Sequence, residues 1–389
     1  MSVRVDPSFI PEIGKYGAFD ISACFNCGNC TAICPLSTET ESFPRRMIRY
    51  AQLGIRGRLL ASRELWLCYY CGECSDTCPR EAEPGEFMAS VRRYAIAHYD
   101  ITGLARRVYT STLFSVALLL VLALLLTLVF LSRQGPASGQ SLALFEFVPA
   151  TLIHDVGIAV LSLLFLGGLV NVVNMVRKLA GAEAGPSPAP PGRSLSWREW
   201  LTAAVGIVIR EVLGHRRYRD CDEEKQPPWF LKPWFLHGSM AWGFLGLLAA
   251  TALDWVLDLT GIKPTGTMVP IWYPVRLLGT VAGVFLVYGT TVVIAKRIIK
   301  SDKPSSHSLL SDWILLGMLW LAGVSGFAVE LALYLPPPQN WAYWIFLGHV
   351  VVSMELLLVA PFTKFAHVFY RTVALVVHDL KAIAASPAG

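Results

Sequence analysis

The sequence predicts an all-α protein in two parts: a helical domain over residues 1–107 and a six-helix membrane bundle within residues 108–389. Three observations carry this expectation. Up to about Arg107 the chain is mixed, charged and rich in cysteine, and beyond it come long apolar runs. The first part shows helical spacing of its apolar residues and no alternation of the kind a strand needs. The apolar runs are too long and too uncharged to be buried helices of a soluble protein.

In the first part, Phe43–Arg63 reads as helix. Met47, Ile48, Ala51, Leu53, Ile55, Leu59 and Leu60 are interleaved with Arg45, Arg46, Arg49, Arg56 and Arg58. Glu83–Tyr99 reads the same way. The arginine-rich face is solvated surface by default. Its charge also suits docking of a soluble partner, with Arg45, Arg46 and Arg49 at or beside the contact.

Around these helices lie two copies of one cysteine pattern. They are Cys24-x-x-Cys27-x-x-Cys30-x-x-x-Cys34-Pro35 and Cys68-x-x-Cys71-x-x-Cys74-x-x-x-Cys78-Pro79. This is the spacing by which proteins hold two [4Fe–4S] clusters, three thiolates arriving on one turn and the fourth crossing to the other cluster. The expected ligand sets are Cys24, Cys27, Cys30 and Cys78 for the first cluster, and Cys68, Cys71, Cys74 and Cys34 for the second. A disulfide framework would need an oxidising compartment and usually a signal peptide, and Met1–Tyr16 contain no apolar core of one. Zinc sites more often use paired Cys-x-x-Cys arms without the third cysteine and trailing proline. Eight of the nine cysteines fall in the two runs, and the ninth, Cys221, is expected to be an ordinary reduced thiol. The expected fold of residues 1–107 is a helical two-cluster ferredoxin with a pseudo-twofold repeat.

A hydrocarbon core about 30 Å thick needs about twenty apolar residues per helix. Six stretches reach that length, at roughly 110–132, 148–176, 233–257, 274–295, 309–335 and 341–368. Basic residues set the orientation. Arg198, Arg210, Arg216, Arg217, Arg219 and Lys225 follow the second span, Lys296, Arg297, Lys300 and Lys303 the fourth, and Arg371 and Lys381 the sixth. The alternate loops hold only Arg133 and Lys263. The basic side, the cysteine domain and the C-terminus are therefore expected in the cytoplasm, with the bundle in the cytoplasmic membrane. Residues 177–232 form a cytoplasmic connection. Its Ala-, Pro- and Gly-rich part, Gly181–Gly192, reads as linker. Trp197–Gly214 reads as an interfacial amphipathic helix with Trp197 and Trp200 at headgroup level. The net charge of +5 needs no nucleic acid to explain it and suits anionic lipid.

Four of the eight histidines fall within the spans: His154, His237, His349 and His367. Ionisable groups there are costly and point to function, and neutral imidazole is a common haem ligand. The topology sorts them into two depths. His237 and His367 lie at the cytoplasmic side, and His154 and His349 near the outer side. On a continuous helix, His349 and His367 would be five turns and roughly 27 Å apart on one face. Two stacked b haems are expected, one held by His237 and His367 and the other by His154 and His349. His98, His215, His307 and His378 are expected in surface or structural roles.

The stretch Pro361-Phe362-Thr363-Lys364-Phe365-Ala366-His367, with His349 before it, resembles the last helix of the cytochrome b subunit of respiratory nitrate reductases. His237 matches the first haem ligand of that family's second helix. The family's second histidine, about ten residues on, is replaced by an apolar position near Leu247, and His154 is the substitute. The cysteine domain resembles the small iron–sulfur subunit of heterodisulfide reductases. The fusion of the two resembles the C subunits of quinone-interacting membrane-bound oxidoreductases (Qmo). Phe43-Pro44-Arg45-Arg46-Met47, Leu65–Cys74 and Pro84-Gly85-Glu86-Phe87 carry that likeness.

The resemblance implies two flavin-containing, heterodisulfide-reductase-like partner subunits (Qmo A and B type). It also implies menaquinone as substrate and adenylylsulfate reductase of dissimilatory sulfur metabolism beyond those partners. The expected role is a membrane subunit of a quinone oxidoreductase complex. Alternatives are the membrane arm of a heterodisulfide reductase, and a non-catalytic anchor that relays electrons. The sequence contains no nucleophile–base constellation, phosphate-binding glycine loop or nucleotide fingerprint. A haem chain across the bilayer would place quinone chemistry at its outer end. Asp155, beside His154, could handle protons there, and Arg276 follows Trp272 and Tyr273, which could flank a quinone ring.

Overall fold

A computed structural model describes residues 4–18, 21–38, 42–136, 143–180, 195–219, 227–264, 266–301, 306–335 and 340–385. Regular structure among these residues is helical throughout. Six helices are long and apolar enough to cross a membrane: Thr112–Leu131, Ala150–Ala180, Pro233–Leu259, Pro274–Ile299, Leu310–Ala332 and Asn340–Phe362, named here the first to sixth spans. Linker 181–192, Cys221, Lys225 and Lys303 lie outside the described residues.

Local sequence explains where the spans begin. Pro233 and Pro274 occupy first-turn positions, where a missing N–H costs nothing. The Ser111 hydroxyl caps the first span by accepting from the Phe114 N–H at 3.2 Å. Leu120, Leu124 and Leu128 of that span form an exposed stripe at helical spacing, a surface suited to lipid. The third and fourth spans cross most closely. A Cβ at Gly243 would come within 2.5 Å of the Leu286 backbone, and one at Gly289 within 3.0 Å of the Leu236 carbonyl. Small residues let two membrane helices approach in this way.

In the cysteine domain, the helix expected over Phe43–Arg63 is two helices, Arg45–Gln52 and Arg56–Leu60. Gly54 separates them with φ +67°, and a Cβ there would collide with the Asp6 carbonyl. The Asp6 N–H donates to the Gly54 carbonyl at 2.9 Å, tying the N-terminal segment to this turn. Pro84–Tyr99 forms one helix, as its spacing predicts, and buries residues on nearly every side.

That burial follows from how the two parts meet. Phe9, Ile13, Tyr16, Met47, Ile48, Trp66, Phe87 and Tyr94 share one core with Met175 and Leu179 of the second span. Ala366, Tyr370 and Ala374, beyond the sixth span, belong to the same core. Trp66 and Tyr99 each pack on Tyr370 with ring centres 5.2 Å apart. The boundary near Arg107 is thus a change of composition within a continuous core.

A buried ion network crosses the same junction. The Arg93 guanidinium donates to Glu86 at 2.9 Å and to Asp312 of the fifth span at 3.2 Å. Lys364 donates to the other Asp312 oxygen at 2.6 Å. Tyr70, inside the second cysteine run, donates to Glu86 at 2.5 Å. Arg93 and Asp312 side chains are 3% and 1% exposed, so their mutual pairing is what makes burial tolerable.

The sixth helix departs from expectation. It is α-helical over Asn340–Val359, tightens into 3₁₀ turns at Ala360–Phe362 and Lys364–Ala366, and restarts as a separate α-helix, His367–Ala385. Pro361 removes a backbone donor, and Thr363 is extended, with φ −115° and ψ −175°. His349 and His367 therefore do not share a continuous helix, and the five-turn register between them does not apply. The Trp197–Gly214 stretch begins as an α-helix, Trp197–Ile207, with a Ser196/Glu199 capping box, and continues as a π-helical turn, Val208–Leu213. Trp197 and Trp200 are exposed, and Ile207 packs on Leu67 and Leu375.

Candidate iron–sulfur and haem site

The two cysteine runs fold alike. Asn26 and Gly28 flank Cys27 with φ +62° and +95°, and Tyr70 and Gly72 flank Cys71 with φ +61° and +98°. Each run then enters a short helix, Asn29–Ile33 or Glu73–Asp76, which carries its third cysteine. Left-handed residues between right-handed ones turn backbone N–H groups to one side, the kind of concavity that holds anions and iron–sulfur centres.

The fourth cysteine of each run lies with the other run. Cys78 stands in electrostatic reach of Cys30 together with Cys24 and Cys27, and Cys34 in reach of Cys68 and Cys71. Cys34, Cys68, Cys71 and Cys74 line one cavity of about 210 Å³. Burial pushes the Cys34 thiol up to about 12, with neighbouring cysteines adding to the rise. Cys30 and Cys74 are raised for the same first reason, loss of water. Thiolates grouped here need a cationic centre to be stable, which fits a metal-cluster donor set. Among the described residues no three donors converge on a position for a single metal ion.

At the end of the bundle that meets this domain, the His237 and His367 rings lie edge to face with centres 6.1 Å apart. That separation has room for a metal bonded at about 2 Å to a nitrogen of each. Both Nδ1 atoms are engaged. His367 Nδ1 lies 2.6 Å from the Lys364 carbonyl, to which it must donate, leaving the Nε2 lone pair available. His237 Nδ1 lies 2.9 Å from His215 Nε2. Burial holds His367 neutral by pushing its pKa down to about 4. Neutral imidazoles oriented by a partner on the second nitrogen are the usual form of a metal-binding histidine. Tyr218 stacks on His237 with ring centres 5.5 Å apart.

His215 takes the structural alternative of its two expected roles: it is buried and orients His237, a partner that sequence reasoning did not identify. His215 sits in an irregular turn with φ +49°, and its partner is known only from the fold. His98 is structural as expected: it bonds the Tyr94 carbonyl at 2.8 Å and stacks on that ring.

The cluster loop is tied to the helix that begins at His367 through Arg371, one turn further along it. Its Nη1 donates to the Cys68 carbonyl at 3.1 Å, and its guanidinium lies 4.1 Å from the Tyr69 ring centre.

The outer histidines are less assembled. His349 Nδ1 lies 3.0 Å from the Ser325 hydroxyl of the fifth span, and a Cβ at Gly326 would come within 3.2 Å of its ring. The second and sixth spans run the same way, and Gly157 faces Met354, so His154 and His349 stand at similar depth. Their rings are not in contact, and His154 has no hydrogen bond among the described residues. Leu247 packs in an apolar cluster with Phe244 and Leu286, which leaves no ligand at that position.

Arg276 is built into a polar group near the end of the bundle away from the cysteine domain. It is 3.4 Å from Glu330, donates to the Val269 carbonyl at 2.8 Å, and lies 4.8 Å from the Tyr334 ring centre. Thr280 donates to Glu330 at 3.0 Å. Asp155 is exposed on the second span, with no hydrogen bond or ion pair among the described residues. The two residues expected to form one site are not brought together. Trp272 is exposed at the start of the fourth span, and Tyr273 is half-buried. Glu330, Asp312 and the buried Glu355 were missed, although a lone acid inside an apolar span is itself a signal. Of the expected docking arginines, Arg49 is exposed and Arg46 lies 3.5 Å from Glu64.

Comparison with known proteins bears on the cysteine domain and beyond it. Residues 20–82 match the family model for the 4Fe-4S dicluster domain. The chain is 25% identical over 184 residues to the E subunit of the dihydromethanophenazine:CoB–CoM heterodisulfide reductase of Methanosarcina acetivorans, covering 43% of this chain and 64% of that one. It is 33% identical over 64 residues to the C subunit of the H(2):CoB-CoM heterodisulfide,ferredoxin reductase of Methanothermobacter thermautotrophicus, covering 16% and 35%. The iron-sulfur C subunit of the CoB–CoM heterodisulfide reductase of Methanopyrus kandleri is 34% identical over 67 residues, covering 17% and 33%. The chain thus spans less than two thirds of the length of these curated relatives. No solved structure matches. The dicluster match supports iron–sulfur clusters in the domain of the eight cysteines, the relatives are subunits of heterodisulfide reductases, and the six long apolar helices support a multi-pass membrane protein.

Proposed function

We propose that this chain is the membrane electron-transfer subunit of a quinone oxidoreductase complex of the Qmo type. In this reading it links a quinone, menaquinone in the resembling family, to cytoplasmic flavoprotein subunits of Qmo A and B type. Adenylylsulfate reductase lies beyond them. The observation that carries it is the link between the second cysteine run and the helix of one imidazole: Arg371 joins the Cys68 carbonyl to the helix that starts at His367. One-electron transfer is the chemistry that clusters and b haems supply when bound.

The residues' part is to hold, orient and insulate. Cys24, Cys27, Cys30 and Cys78 would hold the first cluster, and Cys68, Cys71, Cys74 and Cys34 the second. His237 and His367 would hold the haem at the cluster end, with Lys364 and His215 fixing the rings. His349, with His154 at its depth, would hold the outer haem. Arg276, with Glu330 and Thr280 around it, is the polar group best formed to bind a quinone carbonyl, and Glu330 can exchange its proton. Asp155 is the second proton-handling group of this proposal.

The test is the intact complex. Its subunits identify the partners, and redox difference spectra count the haems. We expect two low-spin bis-histidine b haems. His237→Ala and His367→Ala should each remove the one at the cluster end, and His349→Ala and His154→Ala the outer one. Full haem content in the His154 variant would leave the outer ligand elsewhere.

The likeness to the E subunit of a heterodisulfide reductase favours one second reading, in which the chain is the membrane arm of such a reductase. Partner subunits that reduce a disulfide rather than serve a sulfur-oxyanion reductase would select it.

A further inference from the structure

Between the second cluster cavity and the imidazole pair lies a cationic wall. Arg92, on the Pro84–Tyr99 helix of the iron–sulfur domain, has Nε and Nη2 buried without a hydrogen-bond partner among the described residues. It stands in electrostatic reach of Arg371 and of the Cys68 thiol, and its charge acts on His367 together with those of Arg371 and Lys364. Lys364 has its counter-ion in Asp312 at 2.6 Å. Arg371 has none: its contacts are a carbonyl oxygen and a ring face. Among the described residues neither Arg92 nor Arg371 forms an ion pair.

Two guanidinium groups within electrostatic reach of each other repel, and a buried donor left unmade is costly. Such a pair is stable when an anion with carboxylate geometry bridges it, because the guanidinium fork matches two oxygens at once. The ligand expected between His237 and His367 carries such groups, for a b haem has two propionate carboxylates on one edge. The unsatisfied nitrogens thus fit the haem reading, on which this inference rests.

We propose that Arg92 and Arg371 bind the propionates of the haem held by His237 and His367. The iron–sulfur domain then contributes a residue to the haem site, and the bound haem is clasped by both parts of the chain. The Arg371 Nη1–Cys68 carbonyl bond makes the same guanidinium a through-bond link from the haem edge to the second cluster's loop.

The test uses the full chain in its complex, with Arg92→Gln, Arg371→Gln and Arg92→Lys. Three quantities are read: haem per protein, the midpoint potential of each haem, and the electron paramagnetic resonance of the reduced clusters. Removing a cation beside the haem favours the ferric state. Arg92→Gln and Arg371→Gln should therefore lower the midpoint of the haem at the cluster end, or lose that haem, while the outer haem keeps its midpoint. Arg92→Lys should retain the haem with a smaller fall. Wild-type haem content and midpoints in both glutamine variants would overturn the proposal. So would a change confined to the cluster signals, which would assign Arg92 to the cluster's charge. If Arg92→Gln does not accumulate, the Arg371→Gln and Arg92→Lys midpoints decide in the same sense. The parent reading is checked separately, in the unsubstituted protein: absence of b haem there defeats it before any variant is made.

Discussion

Cys34 belongs to one run by sequence and to the other by position. It lines the cavity of Cys68, Cys71 and Cys74, and Cys78 answers it across the pseudo-repeat. A cysteine-to-serine change keeps the volume and removes the soft thiolate that iron prefers. Cys34→Ser should therefore alter the spectroscopic signature or occupancy of the cluster held by the second run, and leave the first run's signature in place. The reverse pattern would reject crossed ligation. These residues are legible in the sequence because a cluster's fixed geometry imposes a fixed spacing, and the trailing proline marks the exit of each loop. Arg92 and His215 are not legible. Their meaning comes from an unpaired buried nitrogen and from a neighbour 2.9 Å away, and one-dimensional spacing encodes neither.

Among the elements, the spans follow hydropathy closely, since every one must cover the same thickness of hydrocarbon. The break after Val359 does not follow it. Pro361 lies in an apolar run, and in membrane helices proline often produces only a kink. Here Lys364 must turn toward Asp312, and the extended Thr363 allows it. The fifth span thus receives charge from two sides, Arg93 and Lys364. Removing the shared carboxylate leaves both cations without it, at a cost of about 3–5 kcal/mol for a broken buried pair. Asp312→Ala should lower the thermal midpoint of the purified protein in detergent and increase proteolysis of the cysteine domain. Asp312→Asn, which keeps some hydrogen bonds, should fall between it and the unsubstituted chain. Equal stability of all three would mean that the network does not fasten the junction.

At the scale of the whole molecule, the cysteine cages and the better-formed imidazole pair sit together at one end, and Arg276 with Glu330 sits toward the opposite end of the bundle. The proposed route from clusters to quinone therefore crosses the membrane. If quinone binds beside Arg276, Arg276→Ala should slow quinol-dependent haem reduction by about tenfold, since a charged hydrogen bond is worth about 1.5 kcal/mol or more and about 1.4 kcal/mol is tenfold. Asp155→Asn should have a smaller effect, because no contact ties that carboxylate to the group. Unchanged rates in both, with haem content intact, would move the quinone to the cluster end near His237. The two-part order of the chain was legible from composition alone. The continuity of its core was not, because Tyr370 and Trp66 look like ordinary apolar residues until the fold stacks them.

That continuity has a consequence for how the protein is made. Trp66, Tyr99 and the other residues of the first domain's core emerge early from the ribosome, yet Ala366, Tyr370 and Ala374, which close that core, emerge only after all six spans. The cysteine domain must wait with an open apolar flank while the bundle is inserted. Its final closure then reports that the last helix has arrived, so the soluble part reaches its mature packing only on a fully threaded chain.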